Sequence, residues 1–486
     1  MKMLFCLLAS GGLVCAGLEP AFTYLAGPKF CTAQYGYAAP AFCTAPGELP
    51  LGSFALPDAG ASYIDPNFGA NVRVLTGAAL DSVHQYSSPS AFSATGRYAL
   101  LATVQGWLRI VEVATGRVVT DLTADWDVAS PRWSALDDDV LYTIGGNSRP
   151  AQITKYNLST GVRTMLIDYS RNFTRIDTGG TGDASVDNWI AFWAANEHQV
   201  CAADLNLLKT YCADYTAPQP VSHVGWPFID YVLITKAKDA ETNKRYVLLM
   251  AQPALGVFSV NEATGRLEFE YRGPEIPAGM MGGDSGSGNK DGICDPGENC
   301  FDAPHADTFA DGGKQYLLLT MGFDAPSCEA DLVSLNISKG VRMLLPAESG
   351  GGLKRIMTQY ACGLTWSSSH IGCARSNQAR CVISIDTPEP GLPFTIRNGT
   401  EPFHSEVMVM RGNGAEIRRL AMHRSVQWQY WDQPRACISP DGGLVLWDTN
   451  FGIPNSHRVV VAETGFSGYP SGNLRFKRHK LFTAGQ

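Results

Sequence analysis

The sequence predicts an all-β protein: a seven-bladed β-propeller of four-stranded blades, closed by a strand from the N-terminal side. Two observations carry this prediction. One phrase, made of a strand, a turn that ends in glycine and a second strand, recurs with a period of about forty residues or more. A further hairpin lies upstream of each copy, so each of the seven units has up to four strands. The 50 Gly and 28 Pro residues suit the many turns of such a fold.

The recurring phrase has the features of a β-hairpin. A glycine follows a polar residue where the turn needs a positive φ, and alternating apolar residues on either side fit half-buried strands. The copies are IVEVATGRVV at 110, KYNLSTGVRTML at 155, the glycine-less AADLNLLKTYC at 202, FSVNEATGRLEF at 258, VSLNISKGVRML at 333, VMRGNGAEIRRL at 409 and VVVAETGF at 459.

The upstream hairpins complete the units. Units four and six are assigned to 223–271 and to about 362–421. The clearest upstream hairpins are SAFSATGRYALLATV (90–104), RWSALDDDVLYTI (132–144), DASVDNWIAFWA (183–194), ADTFADGGKQYLLLTM (306–321) and PRACISPDGGLVLWDTNF (434–451).

The last unit has only three strands of its own, so the ring needs one more strand for closure. NVRVLTG at 71–77 is a short strand without a hairpin, and we expect Val72–Leu75 to pair outside Arg458–Ala462. The alternative is that LRFKRH in the C-terminal tail takes this place. Either solution removes an unpaired sheet edge, which is a site of aggregation.

The rest of the chain divides around this ring. We assign residues 1–17 to a signal peptide, 18–70 to a Pro/Gly-rich leader packed on the propeller, 71–466 to the propeller and 467–486 to a C-terminal tail. Two stretches, about 272–304 and about 367–404, are interpreted as insertions, because connections of such length are uncommon and often functional.

The N-terminal sequence MKMLFCLLASGGLVCAG predicts export. Lys2 precedes an apolar stretch that ends in small residues, with a cut after Ala16 or Gly17. The stretch is too short to span a membrane, and no other segment is long and apolar enough, so no membrane span is expected. The alternative is a buried N-terminal segment. The predicted location is secreted or periplasmic.

The cysteines favour local disulfides in an oxidising compartment. Of 13 cysteines, Cys6 and Cys15 leave with the predicted signal peptide, so the remainder is odd and at least one thiol stays free or pairs between chains. Short separations predict pairs and one trio; the full connectivity stays open. They are Cys31 with Cys43, Cys201 with Cys212, Cys294 with Cys300, and the trio Cys362, Cys373 and Cys381.

The charge of the chain limits its partners. The formal net charge is -8 and the sequence pI is about 5.6, so no basic field attracts nucleic acid or anionic membranes. We therefore expect an extracellular glycan or protein as partner; the oligomeric state is not determined by the sequence.

One unit carries a family resemblance. ISPDGGLVLWDTNFG at 438–452, followed by VVVAETG, resembles the TolB-like propeller repeat, in which S-P-D-G precedes an apolar strand. FSATGRYALL and WSALDDDVLY match this pattern in part, and the resemblance spans about residues 80–466. It implies the propeller fold. Related propellers include periplasmic interaction modules, peptidase-associated domains and oligogalacturonate lyases, so function stays open. The chain has no G-x-S-x-G motif, which argues against a peptidase.

Several innermost strands begin with a similar signature that places a cationic or titratable side chain at one mouth of the channel. The predicted ligand-binding residues are Arg132, Arg435, His84, Trp226 and Trp431. An arginine fork suits a carboxylate or sulfate, and indole faces suit sugars. The alternatives are that the arginines and histidines bond carbonyls of a neighbouring blade, and that the aromatic rings pack between blades.

The sequence therefore predicts a non-catalytic propeller that binds an anionic carbohydrate or protein ligand at its channel mouth. The alternative is a polysaccharide lyase that cleaves uronate glycans by β-elimination. In that case Arg435 or Arg132 neutralises the uronate carboxylate, His223 or His305 removes the adjacent proton, and Tyr430 protonates the leaving oxygen. Oligogalacturonate lyases add a metal held largely by histidines, and His84, His223, His305 and His404 are available here.

A possible calcium loop lies in the first insertion. SGSGNKDGICDPGENC fits the spacing of the D-x-[DN]-x-[DN]-G-x5-E loop, except that serine stands where aspartate is usual at its first position. No flanking helices are apparent, and the alternative is an acidic surface loop tied by Cys294 and Cys300. The predicted ligands are Ser287, Asn289, Asp291, Asp295 and Glu298.

Overall fold

The fold was analysed in a computed structural model of the 486-residue chain. The structure describes two short strands near the N-terminus and the chain from 57 to 466 with gaps. The longer gaps are 123–130, 146–150, 216–228, 276–304, 325–328, 340–352, 361–368, 386–405 and 426–431. The two N-terminal strands, β1 (Cys6–Ala9) and β2 (Gly12–Cys15), pair as an antiparallel hairpin within the segment predicted to be a signal peptide.

The described residues form a seven-bladed β-propeller, which confirms the predicted fold class. The strands of blades 1 to 3 are β5 (Ser82–His84), β6 (Tyr98–Thr103), β7 (Leu108–Glu112) and β8 (Val118–Leu122); β9 (Pro131–Trp133), β10 (Val140–Ile144), β11 (Gln152–Asn157) and β12 (Val162–Asp168); and β13 (Trp189–Ala194), β14 (Gln199–Asp204) and β15 (Lys209–Asp214).

Blades 4 to 6 have four strands each. They are β16 (Ile229–Ile234), β17 (Tyr246–Ala251), β18 (Ala254–Asn261) and β19 (Arg266–Glu275); β20 (Ala306–Asp311), β21 (Lys314–Asp324), β22 (Glu329–Asn336) and β23 (Leu353–Tyr360), with a 3-10 turn at Ile337–Lys339; and β24 (Ser369–Cys373), β25 (Arg380–Ile385), β26 (Glu406–Arg411) and β27 (Ile417–Met422).

Blade 7 closes the ring with strands from both parts of the chain. Its sheet contains β28 (Cys437–Ile438), β29 (Leu444–Thr449), β30 (Arg458–Glu463), β4 (Asn71–Val74) and β3 (Ser62–Ile64), in that order. Val74 pairs with Val460 and Val72 with Ala462, so the predicted closure from the N-terminal side is confirmed. The additional outer strand β3 was not predicted; it covers the edge that β4 would otherwise present.

The innermost strand is irregular in blades 1 and 3. In blade 3 the innermost position is reduced to a single bridge between Asp177 and Trp193. In blade 1 the inner strand pairs His84 with Leu101 and then, beyond a loop, Phe92 with Ala99. Residues 86–91 therefore leave the sheet.

The hydrophobic core lies between consecutive blades. Between blades 1 and 2, Val83 and Leu100 pack with Trp133 and Leu141 in one buried cluster. The Trp133 indole also donates a hydrogen bond of 2.7 Å to the carbonyl of Ala91. Since each blade packs on its neighbours in this way, the inner strands are held firmly around the channel.

Among the described residues, two disulfides lie within blades, each joining residues directly opposite on neighbouring strands. Cys201–Cys212 connects β14 with β15, as predicted, and Cys373–Cys381 connects β24 with β25. They indicate that the protein folds in an oxidising compartment. Cys437 is a buried free thiol, and burial raises its pKa. The predicted pairs Cys31–Cys43 and Cys294–Cys300 lie outside the described residues.

The interpretation of 367–404 as an insertion was wrong at its beginning. Residues 369–373 and 380–385 form the two innermost strands of blade 6. The hairpin is short, and its inner strand SHIGC lacks the apolar alternation by which the other strands were recognised. The described residues contain no helix with the length and hydropathy that a bilayer crossing requires.

Candidate functional site at the channel mouth

The loop that leaves blade 1 crosses the channel. The hydroxyl of Ser90 donates a 2.9 Å hydrogen bond to the carbonyl of Ile438 on the inner strand of blade 7. Nearer the start of the loop, the carbonyl oxygen of Ser87 packs on Gly372 of blade 6. A Cβ added to Gly372 would lie only 2.5 Å from that oxygen. Because this contact requires glycine, the sequence of β24 allows the loop to reach blades 5 and 6.

The loop brings Tyr86 to a group of side chains from three other blades, which we call the mouth cluster: Tyr86, His305, His370 and Arg435. The Tyr86 hydroxyl lies 2.8 Å from Nε2 of His305, and its ring contacts His370 edge-on at 5.1 Å. The two imidazoles lie 4.3 Å apart between ring centres. The Arg435 guanidinium lies 6.0 Å from the Tyr86 ring centre, at the limit of a cation–π contact.

The cluster lies at the channel end where inner strands begin, because His305 directly precedes β20 and His370 is the second residue of β24. His370 is 1% exposed and Arg435 is fully buried, whereas Tyr86 and His305 are partly exposed. A ligand at this mouth would therefore meet the phenol and the His305 imidazole directly. Arg435 would act on it as a positive charge held just beneath.

His84 lies beneath the cluster and faces protein groups. Its Nε2 contacts the Arg435 carbonyl oxygen, and its Nδ1 lies 2.8 Å from Oδ2 of Asp448. Its backbone N–H donates to Oδ1 of the same carboxylate at 2.9 Å. His84 is fully buried, so a contact with ligand stays a prediction that these described contacts do not support.

Arg132 forms a strap between blades 2 and 3. Its guanidinium donates to the carbonyls of Gly182 and, at 2.9 Å, Pro131, and to the hydroxyl of Thr178 at 3.0 Å. Its side chain is among the largest fully buried ones. This arrangement corresponds to the alternative in which an arginine bonds neighbouring carbonyls.

Further along the channel, buried ion pairs connect different blades, one pair between blades 3 and 6 and one between the neighbouring blades 4 and 5. Arg375 of blade 6 binds Asp183 beside blade 3 through two hydrogen bonds of 2.6 and 2.8 Å. It also reaches the carbonyl of Trp133 at 3.3 Å. Lys236 of blade 4 contacts both oxygens of Asp307 at 3.1 and 3.2 Å. These pairs fill the interior below the mouth cluster.

The pKa values of the two carboxylates shift in opposite directions, although burial raises both. Burial opposes ionisation of Asp183, but Arg375, Lys236 and Arg132 outweigh it and hold its pKa below the ordinary value. Burial also raises the pKa of Asp307, and here Lys236 and the Cys373 N–H do not fully compensate. The buried cations therefore set the pKa values of the carboxylates beside them, and removal of one cation would change the ionisation of its partner.

The structure places the sequence-predicted site residues in three groups. His305 and Arg435 lie in the mouth cluster, whereas Arg132 and His84 are buried and contact protein groups. The remaining predicted residues, His223, Trp226, Tyr430, Trp431 and the loop 287–298, lie outside the described residues.

Sequence reasoning missed Tyr86 and His370. Tyr86 lies just beyond the three-residue strand β5, where no repeated sequence pattern marks it, and His370 fell in the presumed insertion. The short spacing of Cys373 and Cys381 was the available signal for a hairpin at His370.

The side chains of the mouth cluster can be compared with the ligands that a bound metal ion requires. Hard divalent cations prefer carboxylate, carbonyl and water oxygens as ligands. The cluster offers two imidazoles, of which His305 already contacts Tyr86 through Nε2. Within the described ranges, no group of three or more His, Cys, Asp or Glu side chains is arranged to hold a metal ion. The described residues therefore do not fit such a site, and the chemistry proposed below uses the protein's own groups.

Comparisons with known proteins extend the description of the fold. No family model matches the chain, and no curated protein matches it. Among solved structures, an oligogalacturonate lyase in complex with manganese is similar over 84% of this chain and 96% of its own, with 12% identity and a TM-score of 0.52. An oligogalacturonate lyase from Vibrio parahaemolyticus has 11% identity over 83% of this chain and 96% of its own, with a TM-score of 0.49.

A third similar structure is the Cps50 β-propeller domain of Myceliophteria thermophila, with 13% identity over 78% of this chain and 96% of its own and a TM-score of 0.40. At such identities the likeness concerns the fold alone. The chain is a seven-bladed propeller whose fold is shared with an oligogalacturonate lyase.

Proposed function

We propose that the protein binds an anionic, uronate-bearing glycan at the channel mouth. The observation that supports this proposal is the Tyr86–His305 pair, partly exposed and backed by the buried Arg435. A phenol and an imidazole can both donate hydrogen bonds to carboxylate or hydroxyl oxygens. A permanent positive charge beneath them favours a negatively charged ligand over a neutral one.

Cleavage by β-elimination is the second candidate, and one contact favours it. The Tyr86 hydroxyl and Nε2 of His305 are hydrogen-bonded at 2.8 Å, and His370 lies beside both rings. In this scheme an imidazole removes the proton next to the uronate carboxylate, and the C–H electrons form a carbon–carbon double bond. The bond between the β-carbon and the glycosidic oxygen breaks, and this oxygen keeps the electrons of the broken bond and takes its proton from the phenol. Arg435 stabilises the charge that develops on the carboxylate.

One set of measurements tests both candidates. Wild type is titrated by calorimetry with galacturonate, glucuronate and mannuronate oligosaccharides and with a neutral glucan, and the ultraviolet absorbance of the unsaturated product is followed in parallel. We expect heat with at least one uronate oligosaccharide and none with the neutral glucan. Heat without absorbance identifies a binding module; both signals identify a lyase. No heat and no absorbance with any uronate would contradict the proposal.

Variants connect the signal to the site. Tyr86→Phe removes only the hydroxyl, and His305→Gln keeps a polar group of similar reach without an imidazole. Tyr169→Phe is the matched control, because Tyr169 lies between blades 2 and 3 and donates or accepts one hydrogen bond of 2.6 Å with Thr210. We expect the first two variants to lose binding or cleavage and the control to keep both.

We further propose that the exported chain binds calcium in the loop 287–298, on the spacing of Asn289, Asp291, Asp295 and Glu298. Calcium that binds only the folded chain would raise the melting temperature. Calorimetry should detect calcium binding to wild type and to the exposed control Glu463→Ala, and not to Asp291→Ala. Equal absence of heat in all three proteins would reject the site.

A further inference from the structure

Arg435 has a backbone conformation that few residues with a side chain adopt. Its φ is 39°, in the left-handed region where glycine and asparagine are usual. A long cationic side chain is therefore kept at a position where the backbone disfavours one. Such strain persists only where the surroundings determine the conformation.

Three blades hold this segment in place. The Pro434 carbonyl accepts a 3.0 Å hydrogen bond from the N–H of Asp448, within blade 7. The N–H of Ala436 donates to the hydroxyl of Ser384 in blade 6 at 2.9 Å. Between them, the Arg435 carbonyl contacts Nε2 of His84 in blade 1. The peptide groups on both sides of the strained residue are thus fixed from outside.

The contacts of His84 hold both its backbone and its ring. A carbonyl oxygen can only accept, so Nε2 must donate to the Arg435 carbonyl. Nδ1 lies 2.8 Å from Oδ2 of Asp448, a close contact whose geometry is not that of a hydrogen bond. Oδ1 of the same carboxylate accepts the His84 backbone N–H at 2.9 Å, so Asp448 fixes the backbone of His84 and lies against its ring.

We propose that Asp448 and His84 form a positioning pair for Arg435. The carboxylate orients the imidazole, the imidazole holds the Arg435 carbonyl, and the resulting left-handed backbone directs the guanidinium beneath Tyr86. The pair acts on ligand only through Arg435. Its role in ligand binding rests on the proposed function, whereas its role in positioning can be measured without any ligand.

The first readout is the side-chain Nε–H signal of Arg435 in protein labelled with ¹⁵N-arginine, assigned by its loss in Arg435→Lys. We expect this signal to move in His84→Phe, which keeps the ring shape and loses the donor. It should stay near its wild-type position in His84→Gln, because the amide can still donate to the carbonyl. The control Tyr169→Phe removes a hydrogen bond far from blades 6, 7 and 1 and should leave the signal unchanged.

A second variant covers the case in which His84→Phe does not fold. Asp448→Asn keeps the shape of the side chain and the acceptor for the His84 N–H, and should shift the Arg435 signal in the same direction by less. An unchanged Arg435 signal in folded His84→Phe or in Asp448→Asn would overturn the positioning role.

The second readout is a double-mutant cycle with the uronate oligosaccharide that binds wild type. His84→Phe should weaken binding about tenfold, and Arg435→Ala should add little in that background, because both changes remove one interaction. Full additivity would overturn the coupling. If wild type binds no uronate but the Arg435 signal still moves in His84→Phe, the proposed function fails and the positioning pair stands.

Discussion

The substitution Gly372→Ala tests whether the contact between Ser87 and Gly372 positions Tyr86 at the channel mouth. The added Cβ would lie 2.5 Å from the Ser87 carbonyl oxygen, about 0.9 Å short of an ordinary contact. It would also touch the Ala436 carbonyl at 3.4 Å, so it cannot simply move to the other side. The loop must retreat instead. Overpacking of this kind costs about 1–3 kcal/mol of folding free energy.

The functional consequence follows from the same displacement. Tyr86 directly precedes Ser87, so a retreat of nearly one ångström would break its 2.8 Å contact with His305. Misplacement by about 1 Å can lower a reaction rate by about a hundredfold. We therefore expect Gly372→Ala to lose far more glycan binding or cleavage than its modest loss of stability would explain.

Urea denaturation and calorimetric titration measure the two effects side by side. Gly77→Ala is the matched control, because its Cβ would meet only the Ala59 side chain, at an ordinary 3.5 Å. We expect the control to lie within about 0.5 kcal/mol of wild type. If Gly372→Ala is as stable as Gly77→Ala and keeps full binding, then Ser87 does not lie against blade 6 and the account of the crossing loop is refuted.

Two further predictions concern stability. Arg375→Met leaves the Asp183 carboxylate buried without its bidentate partner and should cost about 3–5 kcal/mol at neutral pH. The depressed pKa of Asp183 means that its stabilisation is present above the unfolded pKa and lost as pH falls through the folded one. The deficit of Arg375→Met should therefore shrink below about pH 4, and a deficit independent of pH would contradict this. Replacing both Cys201 and Cys212 by alanine, with a sequence separation of 11, should cost about 2–3 kcal/mol; an unchanged urea midpoint would argue against that disulfide.

The sequence was sufficient for the ring because blade patterns are local. Each unit repeats the same hairpin signals, and the shortage of one strand in the last unit pointed to 72–75 as the closing strand. The outer strand at 62–64 was missed because three residues with mixed exposure give no periodic signal.

The site was less predictable because it depends on departures from the repeat. His305 and Arg435 occupy positions that recur at the head of inner strands, so a pattern could find them. Tyr86 reaches the mouth because residues 86–91 leave the sheet, and Gly372 is required by a carbonyl from another blade. Such contacts between segments distant in sequence leave no local pattern.

The two-part construction of blade 7 has a consequence for synthesis. Val74 pairs with Val460, so the N-terminal strand waits for a partner that the ribosome adds about 390 residues later. At about 5–20 residues per second, this delay is roughly 20–80 s. Throughout it, Val72 and Val74, both fully buried in the finished ring, lack the strand that covers them. During most of its translation, the nascent chain therefore exposes the unpaired edge of β4, which can pair with other chains and aggregate. Its need for chaperones should be greatest before residues 458–463 emerge from the ribosome.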